Sequence, residues 1–284
     1  VLTRSAPRAR ALLVLPTVEI IAADPRDEEA LARAFAGIDV VVNLVGILHE
    51  TRANSFEKVH VELPRKVVNA CRAASVRQLL HMSALGASAS GPSAYQRSKG
   101  EGEAVVRQTA HRLPVTIFRP SVIFGIDDRF LNLFAQLVRW FPVIPLAGAH
   151  TRFQPIWVED VARAFVAAMG DTRTFGESFE LCGPHAYKLE ELVRFVAAVL
   201  GKRRAIVALP RAAAELQALL LEHLPGKLMT RDNLRSMRID NVCSMPFPAL
   251  FGFQPASLEA IVPEYLSEES SRGRYTRYRY RAGR

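Results

Sequence analysis

Apolar positions along the first half of the chain follow two alternating rhythms, one of short continuous runs and one of helical spacing. Val18-Glu19-Ile20-Ile21-Ala22-Ala23 is a short apolar run closed by Asp24-Pro25, which predicts a strand and a turn. Asp27 then caps a helix through Phe35, with Glu28 and Glu29 in the first turn, where carboxylates complement the helix dipole. Asp39-Val40-Val41-Val42-Asn43-Leu44-Val45-Gly46 is a β-branched stretch of the kind found in strands buried on both faces. Val59, Leu63, Val67 and Ala70 recur at helical spacing and predict a helix from about Ser55 to Ala74. Gln78-Leu79-Leu80-His81-Met82 predicts the next strand, with Ser83 at its carboxyl end. A Gly/Ser-rich loop over 86–93 leads into a helix carrying Tyr95 and Lys99, and Val115-Thr116-Ile117-Phe118 is a further strand.

This alternation predicts an α/β fold built on a doubly wound parallel sheet. Ligands in such sheets bind beyond the carboxyl ends of the strands. Asn43 to Gly46, Ser83 and Arg119-Pro120-Ser121 all fall there. Beyond about residue 126 the rhythm weakens. Helices are predicted near 129–140, 159–169, 188–200 and 211–224, with strands near 179–182 and 205–208. The expected organisation is a nucleotide-binding domain over 1–126 completed by parts of 150–185, a smaller, mostly helical lobe over 127–265, and a basic tail over 266–284.

Composition narrows the classes. A chain of 284 residues that is 49 % hydrophobic has enough apolar surface for a large core. No apolar stretch approaches the roughly 20 residues needed to cross a bilayer. The net charge of +9 is concentrated at one end: residues 272–284 hold six arginines and no acid, and removing them leaves about +3. Tyr275, Tyr278 and Tyr280 lie among those arginines, a pattern that suits RNA or an anionic membrane surface as well as a solvated terminus. Nucleic acid is the least favoured partner. Cys71, Cys182 and Cys243 lack metal-ligand spacing and are expected as separate, reduced, buried thiols. Ala212–Leu224, with Leu216, Leu219, Leu220 and Leu224 between Glu215 and Glu222, could cover the lobe core or dock on a partner or membrane.

The densest chemistry is Ser83 followed by Tyr95 and Lys99. Positions i and i+4 share a helix face, so a lysine ammonium one turn from a phenol would favour the tyrosinate. Tyr95-Gln96-Arg97-Ser98-Lys99 with Glu103 resembles the Tyr-x-x-Ser-Lys-x-x-x-Glu motif of the short-chain dehydrogenase/reductase superfamily. Phe118 to Gly125 resembles its Arg-Pro-x-x-Val-Tyr-Gly segment, and Gln154 to Ala162 its Pro-Val-x-Val-x-Asp-Val-Ala segment. Tyr187 to Leu192 resembles its late Thr-x-x-Glu-Leu helix start. Asn43 to Leu48, Phe56 to Glu62, Phe153-Gln154-Pro155, Pro225-Gly226-Lys227 and Arg231-Asp232-Asn233 are most similar to one atypical group. It includes the nucleotide-binding accessory subunit of respiratory complex I and its bacterial relatives.

The resemblance implies a Rossmann-like fold, with Tyr95 as general acid/base, Lys99 on the nicotinamide ribose and Ser83 on a carbonyl. It implies cofactor contacts from Arg4, Asp24, Asn43, Leu44, Val45, Gly46, Tyr95, Lys99, Pro120, Ser121 and Val122, and no metal. Arg4 favours NADP(H) over NAD(H), or is an ordinary surface charge; Asp24 is an adenine contact or a turn former. His81 and His49 are expected as packing or loop histidines. The implied function is an NAD(P)-binding accessory or assembly protein of complex I. It would be cytoplasmic and peripheral on the inner face of the cytoplasmic membrane, with complex I subunits or the membrane surface as partners. The alternative is an active oxidoreductase, epimerase or dehydratase on a carbonyl or nucleotide-sugar substrate, or a supporting role in quinone metabolism. The superfamily's glycine-rich phosphate turn and the strand before it are not present ahead of Arg4. This chain is therefore expected to bind NADP(H) poorly, and one extended upstream by about 25–35 residues to bind it.

Overall fold

A computed structural model describes residues 1–4, 6–223 and 228–267. Residues 268–284 of the basic tail and 224–227, which include Pro225-Gly226-Lys227, lie outside the described residues. Strand β1 (Leu2–Thr3) pairs in parallel with β2 (Ile21–Ala22), and a 3-10 helix over Ala6–Val14 connects them. Helix α1 (Glu28–Phe35) starts as its sequence predicts, with the Asp27 carboxylate accepting from the amides of Glu29 and Ala30. Next come β3 (Val40–Asn43), a π-helix over Glu57–Glu62, α2 (Leu63–Ala73), β4 (Gln78–Met82), α3 (Ala94–Arg107) and β5 (Val115–Pro120). The single helix expected over 55–74 is thus two helices of different pitch.

The remaining elements are β6 (Ile123–Phe124), α4 (Leu131–Trp140), β7 (Val143–Leu146), β8 (Arg152–Phe153), β9 (Ile156–Trp157), α5 (Val158–Ala168) and β10 (Ser178–Leu181). They are followed by β11 (Tyr187–Lys188), α6 (Leu189–Val199), β12 (Ala205–Ala208), α7 (Arg211–Leu221), α8 (Arg231–Ser236) and α9 (Leu258–Leu266). The predicted lobe elements all form, most of them within two residues.

The main sheet is parallel, in the order β10-β5-β4-β3. Alternation along its strands sends Val41, Leu79, Val115 and Ile117 to one face, where they pack with Leu31 and with Val67 and Cys71 of α2. Leu80 and Phe118 point the other way, onto Val161 and Phe165 of α5. Helices on both faces explain why these strands read as continuous apolar runs. Among the described residues β1 pairs only with β2, and β3 only with β4. A third apolar cluster joins α4, α6, α9 and the inner side of β7.

One expectation about cysteine fails. Cys182 and Cys243 form a disulfide closing 61 residues of chain. Their spacing gave no hint because the pairing depends on where the segment after α8 returns, beside the end of β10. Cys71 is a free, buried thiol, pushed up to about 12 by burial.

Candidate functional site

Lys99 of α3 reaches the carboxyl end of β4, which Ser83 follows directly, and Tyr95 stands one turn before Lys99 on the same helix. The Ser83 amide donates to the carbonyl of Phe118 on β5. Its hydroxyl is buried and makes no hydrogen bond. A buried hydroxyl without a partner costs free energy, so it marks a place where a ligand group is owed.

Helix α3 is held at three points. At its start Ser93 accepts from the amide of Gln96, while the Asp232 carboxylate of α8 accepts from the amides of Ala94 (2.8 Å) and Tyr95 (3.0 Å). Those donors have no partner inside the helix, and a carboxylate there also meets the positive end of the dipole. Further along, buried Glu103 accepts through both carboxylate oxygens from Nε and Nη2 of Arg119 on β5. On its flank, Gly102 faces the π-helix, where a Cβ would overlap the carbonyl oxygen of His60. Only glycine permits that approach.

His60 is absent from the predicted site residues, although it lies in the Phe56 to Glu62 segment that resembles the atypical group. The amide of Ile47 donates to its Nε2 (3.1 Å), so its proton sits on Nδ1 and donates to Ser98 (2.8 Å). Ser98 donates in turn to the carbonyl of Tyr95 (2.9 Å). The His60 ring stacks on Phe56 and meets Tyr95 edge-on. This relay needs a neutral imidazole; burial, followed by the charge of Lys99, lowers the His60 pKa to about 3. His81, expected as packing, is buried, and the Asn43 amide donates to its Nδ1 (3.2 Å). The Asn43 carbonyl accepts from the amide of Val45 and so shapes the exposed rim Leu44-Val45-Gly46.

Lys99 is buried and donates from Nζ to the carbonyl of Met82 (3.1 Å). Burial brings its pKa down to about 8, against the pull of Glu103. Burial pushes Tyr95 up to about 12. The expected lowering of the tyrosine by Lys99 is therefore not seen: burial raises the phenol, which keeps its proton at neutral pH.

The other predicted contacts divide. Pro120 ends β5, and Ser121 and Val122 follow it at the sheet rim. Asn241 accepts from the Ser121 hydroxyl (2.6 Å) and the Val122 amide (3.0 Å), so both already have a protein partner. Asp24 is bound through both oxygens by Arg26, which lowers its pKa to about 2. Arg4 is exposed just past β1, where its charge also acts on Asp24. Asp232, from the Arg231-Asp232-Asn233 segment, reaches the start of α3, and Asn241, which has no sequence signal, reaches the end of β5, each from more than a hundred residues away. Among the described residues, no cluster of His, Cys, Asp and Glu is placed to hold a metal, and no helix is long and apolar enough to cross a membrane.

Residues 1–129 match the NAD(P)H-binding family. Over that stretch the chain is similar to NAD(P)H-binding proteins, and its fold is of the Rossmann type. It is 36 % identical over 249 residues to the mouse protein named NADH dehydrogenase [ubiquinone] 1 alpha subcomplex subunit 9, mitochondrial, covering 83 % of this chain and 63 % of that protein. A ceramide reductase of Caulobacter vibrioides is 31 % identical, covering 68 % of this chain and 60 % of that protein. The chain thus spans less than two thirds of either relative. In fold it is similar to an NADPH-dependent quinone oxidoreductase of Escherichia coli complexed with NADPH, with a TM-score of 0.71 at 20 % identity, covering 91 % of this chain and 87 % of that one.

Proposed function

We propose that this protein is an NAD(P)-binding accessory protein of the complex I type, holding the dinucleotide chiefly as a structural element. Residues 1–126 with parts of 150–185 hold the nucleotide in this reading, and 127–265 form the partner lobe. Complex I subunits are the partners, and the setting is cytoplasmic, peripheral on the inner membrane face. The observation that carries the reading is the 36 % identity over 249 residues to the mouse complex I subunit. The site is compatible with it: Lys99 donates once to the Met82 carbonyl and keeps two ammonium donors for a ribose.

The residues fit the nicotinamide end of such a cofactor. Ser83 offers an unused buried hydroxyl, and the bare backbone of Gly46 leaves open a space that a Cβ would fill 3.3 Å from Lys99 Nζ. Lys99 would hold the ribose, Ser83 the carboxamide or a substrate carbonyl, and Tyr95 a second hydroxyl. Asn43, Leu44, Val45 and Gly46 would border the ribose, and Pro120, Ser121 and Val122 the ring. The bound cofactor would supply hydride chemistry. Arg4 favours NADP(H): Asp24 is already neutralised by Arg26, which leaves the Arg4 guanidinium to meet a 2′-phosphate.

A second reading, an active oxidoreductase on a carbonyl, nucleotide-sugar or quinone-related substrate, is favoured by one observation, the unpartnered Ser83 hydroxyl. Tyr95→Phe separates the two. The accessory reading expects calorimetric NADPH affinity within about fivefold of wild type, since one lost hydrogen bond is worth about 1 kcal/mol or less. It also expects undiminished co-purification with complex I subunits. Turnover that vanishes with the phenol, together with no association with complex I, would establish the enzyme instead.

A further inference from the structure

We infer that the outer face of the β7–β12 sheet is a docking surface for an anionic lipid bilayer. The two strands are parallel, with Ala205 opposite Val143 and Val207 opposite Pro145. Their inner residues Ile144, Leu146 and Ile206 pack into the lobe core. Alternation sends Val143, Pro145, Ala205 and Val207 to the other face, and all four are exposed. Nothing covers this side of the sheet among the described residues.

Both strands enter the sheet at the same end, so the residues preceding them lie side by side. Ahead of β7 stand Trp140 and Phe141, with Trp140 81 % exposed. Ahead of β12 stand Lys202, Arg203 and Arg204, and Arg204 donates to the carbonyl of Val138, which ties the two approaches together. Arg139, Lys202 and Arg203 have no ion-pair partner among the described residues. The sequence has no acid from Arg129 to Val158 or from Gly201 to Ala214, and seven lysines and arginines in those two stretches. Helix α7 adds to the surface. It packs through Ala214 and Ala218 and leaves Leu216 and Leu220 exposed, and Gln217 donates to the carbonyl of Pro145 on β7.

The chemistry selects the occupant. An exposed tryptophan at headgroup depth, an apolar strip beside it and unpaired cations at the rim match an anionic interface. The core of a protein interface is instead depleted in charge, and a basic rim there would need acidic counterparts. The inference rests on the proposed peripheral placement only for its cellular setting. Vesicle binding by the full chain is read without complex I, so either proposal can fail alone.

The test is co-sedimentation of the full chain with phosphatidylcholine vesicles, with and without phosphatidylglycerol. Binding is expected only with the anionic lipid, weakening as salt is raised, with Trp140 emission shifting to the blue and quenched by brominated acyl chains. Trp140→Ser with Val207→Ser should weaken binding by about tenfold or more, since each removes apolar surface that the bilayer would bury. Both positions are exposed, so the thermal midpoint should be unchanged; Arg139→Gln with Arg203→Gln reads the charge contribution separately. A full-length variant with the arginines of residues 272–284 replaced by glutamine controls for the tail. No binding to anionic vesicles overturns the proposal and leaves the face to a protein partner. Full binding by the Trp140/Val207 variant, or binding that disappears with the tail arginines alone, overturns it equally.

Discussion

Lys99 carries the sharpest residue-scale consequence. Its ammonium is buried, and its pKa falls from an ordinary 10.5 to about 8. The folded chain therefore releases this proton earlier than the unfolded chain does. Between about pH 8 and pH 10 the unfolded state binds more protons, so stability contributed here rises with pH, by an amount on the order of 3 kcal/mol when the shift is fully expressed. Tyr95 acts in the opposite sense above pH 10, because its folded pKa is raised to about 12. Lys99→Met keeps Tyr95 and removes only the lysine. Urea midpoints measured from pH 7 to pH 10 should show the wild type gaining on the variant; parallel curves would refute a depressed Lys99. The neighbouring residues explain the motif around it. Ser98 passes the His60 proton contact to the Tyr95 backbone, and Glu103 anchors Arg119, so the motif's serine and glutamate are structural groups.

At the scale of elements, the π-helix at Glu57–Glu62 and α3 behave as one unit. Single-turn π segments occur often at functional sites because the extra residue re-aims a side chain, here His60 toward Tyr95. The contact depends on Gly102, whose missing side chain lets the His60 carbonyl touch α3. Gly102→Ala should separate the two helices and cost about 1–3 kcal/mol by overpacking. The same change should weaken NADPH binding in a calorimetric titration, because Tyr95 and Lys99 move with the helix. Unchanged stability and unchanged affinity would mean that the packing yields without consequence. The helical periodicity of this region was legible in the chain and the π pitch was not, since spacing alone does not distinguish one inserted residue.

The whole molecule is closed by contacts from the last third of the chain onto the sheet. Asp232 caps α3, Asn241 holds the turn after β5, and Gln154 accepts from the amide of Cys243 beside the disulfide. Buried Asp160 receives the amide of Ala256 in the same way, which accounts for the aspartate of the Pro-Ile-Trp-Val-Glu-Asp segment. The Cys182–Cys243 bridge fastens this strap to the end of β10. Closing a loop of 61 residues limits the unfolded chain by an entropy worth about 4 kcal/mol in the simplest treatment. Cys182→Ser with Cys243→Ser should therefore lower the thermal midpoint by several degrees, and mild reduction of the wild type should reproduce the shift. A midpoint insensitive to both would show that the hydrogen bonds of Asn241 and Gln154 hold the strap without it.

The strand and helix rhythm, the Ser83, Tyr95 and Lys99 group and its place at the strand ends all follow from local order. They are set by side-chain periodicity and short spacings, which a linear chain displays directly. The tertiary structure decided what those groups are ready to do. Burial raised the tyrosine and lowered the lysine, left the Ser83 hydroxyl without a partner, and paired two cysteines expected apart. It also turned α7 to bury its alanines and show its leucines. Desolvation and long-range pairing depend on which distant segments meet, and no spacing within the sequence records that.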